Sequence, residues 1–304
     1  MQRADHYRAA GLWLAMFYRL LSWLPLPLLY LLAWPGYLLL YYVGGYRKAV
    51  VRQNLSQAFP DKSAKQLTVL AKKFYLQLVQ VALEILKTRR MSAADMRRRV
   101  TLVNPELLRE YSNDFSESVL MLAIHQGNWE WMLHGVKLHL DIPIDPVYKP
   151  LHNRQMDELM LSIRSQFGSR PIPLASAPRD ILRRRREFRL FVLVADQAPI
   201  ARERSYWTTF MNRAAAFYEG GEIIATMTGY PVLFAQCRRR ARGYYEVEFK
   251  ALARPPYGGA DHAITERYVR LAEQAIRDEP HSWLWSNRRW KRQAPGVADS
   301  PTRD

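Results

Sequence analysis

Two side chains with complementary acid–base chemistry stand five positions apart, His125 and Glu130, in the segment Ile124-His-Gln-Gly-Asn-Trp-Glu130. An imidazole is the side chain best suited to take and return a proton near neutral pH. A carboxylate bonded to one ring nitrogen leaves the other free for that task. On one continuous helix, five residues turn a side chain about 140° away from its partner, so the two would diverge. A strand–turn–helix junction removes that obstacle. The apolar run Ser118-Val-Leu-Met-Leu-Ala-Ile124 reads as a buried strand, and Trp129 to His139 as the helix after it. The expected arrangement is a general-base dyad facing a hydroxyl; a satisfied structural histidine is the alternative reading.

The same spacing recurs at His152 and Asp157, which serves as a control. No strand runs directly into His152, and Met156, Leu159, Met160, Ile163 and Phe167 give residues 153–167 a helical period. That second pair is expected to diverge at the surface.

Composition narrows the setting. The 304 residues suffice for one large domain or two small ones, and carry a net charge of +17. Such a chain suits anionic partners: nucleic acid, phospholipid headgroups, or an acidic protein or substrate. Arg97–Arg99, Arg183–Arg186, Arg238–Arg240 and Arg288–Arg292 concentrate this charge, and beside an apolar segment they point to anionic lipid. The single cysteine, Cys237, rules out an intramolecular disulfide and reads as a packing residue. No zinc-type spacing, glycine-rich phosphate loop or Gly-x-Ser-x-Gly elbow is present, so neither metal nor cofactor is expected.

Residues 20–46 carry no charge, enough apolar length to cross a bilayer of about 30 Å. Pro25, Pro27 and Pro35-Gly36 interrupt the run. It therefore reads as one span, or as a pair of helices, His6 to Leu24 and Leu26 to Val43, inserted as a hairpin or lying in the interface. Arg47, Lys48 and Arg52 follow it and favour a cytoplasmic body. Three regions are expected: an anchor over 1–46, a catalytic domain over 47–292, and a disordered tail over 293–304.

Beyond the anchor, helices are expected over 47–59 and 63–90. Strands at 100–103, 119–124, 144–148, 190–195, 232–236 and 244–251 then alternate with helices near 129–138, 153–167, 178–187, 220–228 and 264–278. This pattern predicts an α/β fold, a largely parallel sheet flanked by helices. Sites in such sheets form where strands end and helices begin, which is where His125 lies.

Several ordered blocks carry a resemblance. They are Tyr46-Arg-Lys-Ala-Val-Val-Arg-Gln-Asn54-Leu with Phe59-Pro60, His125 to Glu130, Val147-Tyr-Lys-Pro-Leu151 and Arg164-Ser-Gln-Phe-Gly168. Asp196-Gln197-Ala-Pro199, Gly229-Tyr-Pro-Val-Leu233 and Trp283-Leu-Trp-Ser-Asn-Arg-Arg-Trp-Lys291 complete them. Over residues 10–292 the chain resembles the bacterial lipid A biosynthesis (late) acyltransferases, within the His-x4-Asp/Glu glycerol-phosphate and lysophospholipid acyltransferase superfamily. The resemblance implies a glycerol-phosphate acyltransferase-like fold at the cytoplasmic face of the inner membrane. It implies transfer from an acyl carrier protein thioester to the hydroxyl of a 3-hydroxyacyl chain on a lipid A precursor. His125 is then the base and Glu130 its orienter, and the backbone N–H groups around Gly127 and Asn128 are candidate oxyanion donors. By resemblance Arg164 contacts phosphate or the oxyanion. Asp196 and Gln197, at the end of a predicted strand, sit where a sheet delivers site residues and are expected to support the site, a simple turn being the alternative. No serine or cysteine suits a covalent intermediate, so direct attack on the thioester is expected.

The chain departs from the family pattern at Phe210-Met-Asn212 with Ala214-Ala-Ala-Phe217, and at Asn287-Arg-Arg289, where a His-Arg-Arg triplet is common. The acceptor is therefore open to alternatives: a lysophospholipid, glycerol phosphate or another envelope lipid such as an aminolipid. Phe217-Tyr-Glu-Gly220 lacks the proline of the phosphate-binding block of glycerophospholipid enzymes, which counts against the first two. A membrane-tethered basic binding protein without catalysis is the remote alternative. Nothing resembles a base-reading module, so no nucleic acid is expected.

Overall fold

The computed structural model describes residues 18, 20–200, 204–258 and 261–292; most of the helix expected over 6–24 and the whole tail 293–304 lie outside them. A seven-stranded sheet is built from β1 (Val100–Leu102), β2 (Val119–Ala123), β3 (Ile144–Tyr148), β4 (Ile172–Pro173) and β5 (Leu190–Val194). The long strands β8 (Val232–Ala241) and β9 (Tyr244–Ala253) complete it. A separate hairpin pairs β6 (Ser205–Phe210) with β7 (Arg213–Tyr218). The strand order is β1-β9-β8-β2-β5-β3-β4, parallel throughout except for the β8–β9 hairpin. The chain thus folds as the mixed α/β layer structure its alternating pattern predicts.

β2 lies at the centre and explains why an unbroken apolar run was needed. Leu120, Leu122 and Ile124 enter one core cluster, and Val119, Met121 and Ala123 enter the other, on the opposite face. A strand covered on both faces has no position for a polar residue.

The flanking helices are α1 (Leu26–Leu38), α2 (Lys48–Ala58), α3 (Ala64–Lys87), α4 (Ala93–Arg99), α5 (Pro105–Tyr111), α6 (Trp129–Leu140), α7 (Arg154–Arg164), α8 (Ala177–Arg183), α9 (Gly220–Thr228) and α10 (Ala263–Asp278). α3 starts on a capping box: Ser63 accepts the Gln66 N–H, and Gln66 accepts the Ser63 N–H. Phe74, Tyr75, Val81 and Ile85 bury one face of it.

α1 continues through a π-helical turn, Leu39–Val43, after an internal proline, Pro35. The stretch Leu26–Val43 has the length and composition to cross a membrane. It is two-sided, however. Leu29, Tyr30, Ala33, Tyr37 and Tyr41 are buried and α1 packs on α3, while Leu28, Leu31, Leu32, Trp34, Leu38 and Leu39 are exposed.

One buried carboxylate joins these layers. Glu84 of α3 is fully buried and accepts from Tyr30 Oη of α1 (2.9 Å), Tyr245 Oη of β9 (2.6 Å) and Asn128 Nδ2 (3.0 Å), with Arg239 of β8 at 3.6 Å. Burial lifts its pKa above the usual carboxylate value, against the opposing pull of Arg239 and the three donors.

Many residues of the basic clusters are paired, most of them at the surface. Arg98 pairs with Asp95, Arg184 with Asp145, Arg238 with Glu248, and Arg240 with Glu246, while Arg97 donates to the carbonyl of Leu138.

Candidate active site

His125 stands two residues beyond the end of β2, and Asp196 two residues beyond the end of β5. These strands are parallel neighbours with Ala123 paired to Val194, so continuing the register sets His125 opposite Asp196. The side chains meet there: His125 Nδ1 lies 2.6 Å from Asp196 Oδ1, and the His125 backbone N–H donates to Asp196 Oδ2 at 3.1 Å. The Trp283 indole N–H donates to the same Oδ2 at 2.7 Å. Burial alone would raise the Asp196 pKa, but the His125 charge and the hydrogen bonds from His125 and Trp283 more than offset it and hold the carboxyl below its ordinary value.

With Nδ1 committed to Asp196, Nε2 is the ring nitrogen left to face outward. The His125 side chain keeps 17% of its surface exposed, and the Gln197 amide lies 3.4 Å from Nε2, a long contact. The Trp129 ring meets the imidazole edge-on at 5.0 Å and limits its tilt. Beside Gln197 opens a cleft of about 140 Å³ lined mainly by apolar residues, including Val147, Leu174, Leu193, Ala198 and Pro199. A larger cavity of about 900 Å³ lies against α9 and the start of α10 and contains none of these site residues.

Glu130 does not contact the imidazole as the spacing led us to expect. Trp129 already begins α6, so Glu130 is the second residue of that helix and projects toward α7. There it accepts from Arg164 Nε (3.0 Å) and Nη2 (2.6 Å) in a forked pair. Burial works against the Arg164 charge, and Glu130 outweighs it, leaving the guanidinium above its ordinary pKa. Arg164 is thus held by Glu130, and its guanidinium lies 5.8 Å from the ring centroid of Tyr148, which lines the cleft.

The turn between them is fixed rather than open. Gly127 has φ +60°, and a Cβ there would come within 2.5 Å of the Cys237 carbonyl oxygen, so only glycine fits. Its N–H donates to the Ser282 carbonyl at 3.2 Å, which removes it from the oxyanion donors the sequence suggested. The Asn128 side chain is equally committed: Oδ1 caps the Trp131 N–H, and Nδ2 binds Glu84. What remains at this point is the Asn128 backbone N–H and the first turn of α6, whose leading N–H groups have no acceptor within the helix. Cys237 packs behind the turn, and burial pushes its thiol up to about 12, as befits an inert packing residue.

The C-terminal segment is part of the site. Trp283 bridges Gln126 in antiparallel fashion, and the Leu284 N–H donates to the His125 carbonyl at 3.0 Å. Asn54 of α2 then binds the carbonyls of Trp285 and Asn287, which ties the first and last of the sequence blocks together. His152 and Asp157, the control pair, do not meet; Asp157 accepts the Leu151 N–H instead.

The arrangement comprises a carboxylate-held imidazole, a buried forked ion pair on the helix that follows it, and a small cleft that shares Gln197 with the imidazole. The family model of the bacterial lipid A biosynthesis acyltransferases matches residues 1–292. The chain belongs to that family. It is accordingly an acyltransferase of lipid A biosynthesis. No curated protein sequence matches the chain.

Trp283 was named by resemblance only, without a role. Its signal was the block Trp283-Leu-Trp285, whose position near the end of the chain gave no hint that it returns to His125.

Proposed function

We propose that this protein transfers a fatty acyl group from an acyl carrier protein thioester to the hydroxyl of a 3-hydroxyacyl chain on a lipid A precursor. His125 is the general base and Asp196 its orienter. The observation that carries this reading is the 2.6 Å contact of Asp196 with Nδ1, which leaves Nε2 free of the carboxylate and next to Gln197, a residue of the cleft lining. The acceptor hydroxyl gives its proton to Nε2 as its oxygen attacks the thioester carbonyl. The tetrahedral intermediate collapses by breaking the C–S bond, and the imidazolium returns the proton to the departing thiolate. Asp196 keeps the tautomer with the proton on Nδ1 and stabilises the imidazolium that forms between the two steps. The first turn of α6 and the Arg164 guanidinium, aimed by Glu130, supply the positive field for the oxyanion or for an acceptor phosphate. The apolar cleft takes the reactive end of the acyl chain.

We place the protein at the inner membrane with its catalytic body in the cytoplasm. α1 buries one face against α3, so we read it as lying in the interface with its exposed leucines and Trp34 in lipid, beside anionic headgroups.

The test is a transfer assay read by mass spectrometry, with mixed acyl carrier protein thioesters and a tetra-acylated lipid A precursor. Wild type adds one acyl mass and His125→Ala does not. Consumption of the same donors only when another envelope lipid is supplied would move the acceptor. Equal activity in His125→Ala would refute the base assignment.

A further inference from the structure

Arg289 is 1% exposed, yet its Nε, Nη1 and Nη2 have no hydrogen-bond partner among the described residues. The guanidinium lies over the Phe217 ring at 4.1 Å and 5.5 Å from the Phe210 centroid. Phe210 meets the Trp283 indole at 5.8 Å, and that indole donates to Asp196. Tyr268 of α10 packs on Phe217 and donates to the Ala123 carbonyl at the end of β2. The rings of Phe210 and Trp283 in succession therefore connect a buried cation to the carboxylate that holds His125.

Burying an unpaired cation costs several kcal/mol, more than ring contacts alone return. The field of a buried anion can make up the difference. Burial brings the Arg289 guanidinium down to about 10, and Asp196 first and Tyr268 second act against that fall, so it remains a cation at neutral pH. Asp196 in turn is faced by the His125 ring, and the Glu130–Arg164 pair belongs to α6 and α7 on the other side of the turn.

We propose that Arg289 is the counter-charge of Asp196, a positioning residue that acts on the reaction through that carboxylate without touching substrate. The proposal rests on the reading of His125 as the base. While His125 is neutral, Arg289 balances Asp196 across these rings, and the carboxylate stays ionised in a dry site. A proton arriving on His125 would then set two cations against one buried anion. Arg289 thus opposes premature protonation of the imidazole and keeps it ready to accept the hydroxyl proton.

The experiment is the pH dependence of kcat/KM in the transfer assay for wild type, Arg289→Met, Arg289→Gln and Arg289→Lys, with His125→Ala as baseline. Circular dichroism checks that each variant is folded, and the polar Gln variant stands in should Met disturb the rings. Both neutral variants should move the acidic limb up by about one pH unit, with the lost rate recovered at higher pH. The lysine variant should keep the wild-type limb. A uniform loss at every pH in the neutral variants, or a lysine variant shifted as far as methionine, overturns the counter-charge role and leaves Arg289 a packing residue. Activity surviving in His125→Ala would instead strike the base assignment itself, so the two failures are distinguishable.

Discussion

Replacing Asp196 by Asn keeps the shape of the site and removes the charge behind the His125 ring. The rate should fall by about 10²–10⁴-fold while the melting temperature changes little, measured by the transfer assay beside thermal denaturation. Glu130→Gln should do the reverse in emphasis. It strands the Arg164 guanidinium in a mostly buried position, and about 3 kcal/mol of stability should go with it. The double variant Glu130→Gln/Arg164→Met should melt higher than the single one, because no unpaired charge remains. If Glu130→Gln melts like wild type, the forked pair has no structural weight. The contrast also shows where sequence reasoning reaches its limit. Proximity in the chain suggested Glu130 for His125, whereas the partner came from 71 residues away. The register of β2 against β5 holds that information, and no single strand displays it.

At the scale of elements, patterning carried far. The apolar runs of β2 and β5 and the period of α3 were legible because burial imposes them. The β6–β7 hairpin was not: its turn, Met211-Asn212, has φ of +49° and +65°, a geometry usually announced by Asn-Gly or Asp-Gly. That turn is held from outside, with the Met211 N–H on Glu273 and Asn212 Nδ2 on the Ala58 carbonyl, so tertiary contacts replace the missing glycine. α6 carries its own pH sensitivity in His134, which is fully buried. Burial lowers its pKa to about 4, with Glu130 opposing and Arg164 assisting. Its folded pKa lies below its unfolded one, so the unfolded chain takes up the proton first. Stability is full above about pH 6.5 and is lost as pH falls toward 4. Between pH 7.5 and 5 the loss from this residue should be about 2 kcal/mol. Melting curves of wild type and His134→Leu at both values should differ by that increment; parallel curves would refute it.

Across the whole molecule, several arginines of the basic clusters stand beside carboxylates and form no bare cationic patch, so the apolar face of α1 should dominate membrane attachment. Binding to vesicles of neutral lipid should therefore survive salt that screens surface charge, and Leu31→Glu with Leu38→Glu should release the protein. Release by salt alone would favour a purely electrostatic contact. The inner face of α1 has a second duty, since Tyr30 is one of the donors that satisfy Glu84, and Glu84 in turn holds Asn128 at the turn after His125. Tyr30→Phe should cost about 2 kcal/mol and slow transfer, although Tyr30 touches no substrate. With α1 as the proposed anchor, membrane address and reaction geometry are inherited as one piece. A foreign anchor grafted ahead of Arg47 would deliver the enzyme to lipid and still leave it working poorly, because the tether it replaced was also a strut.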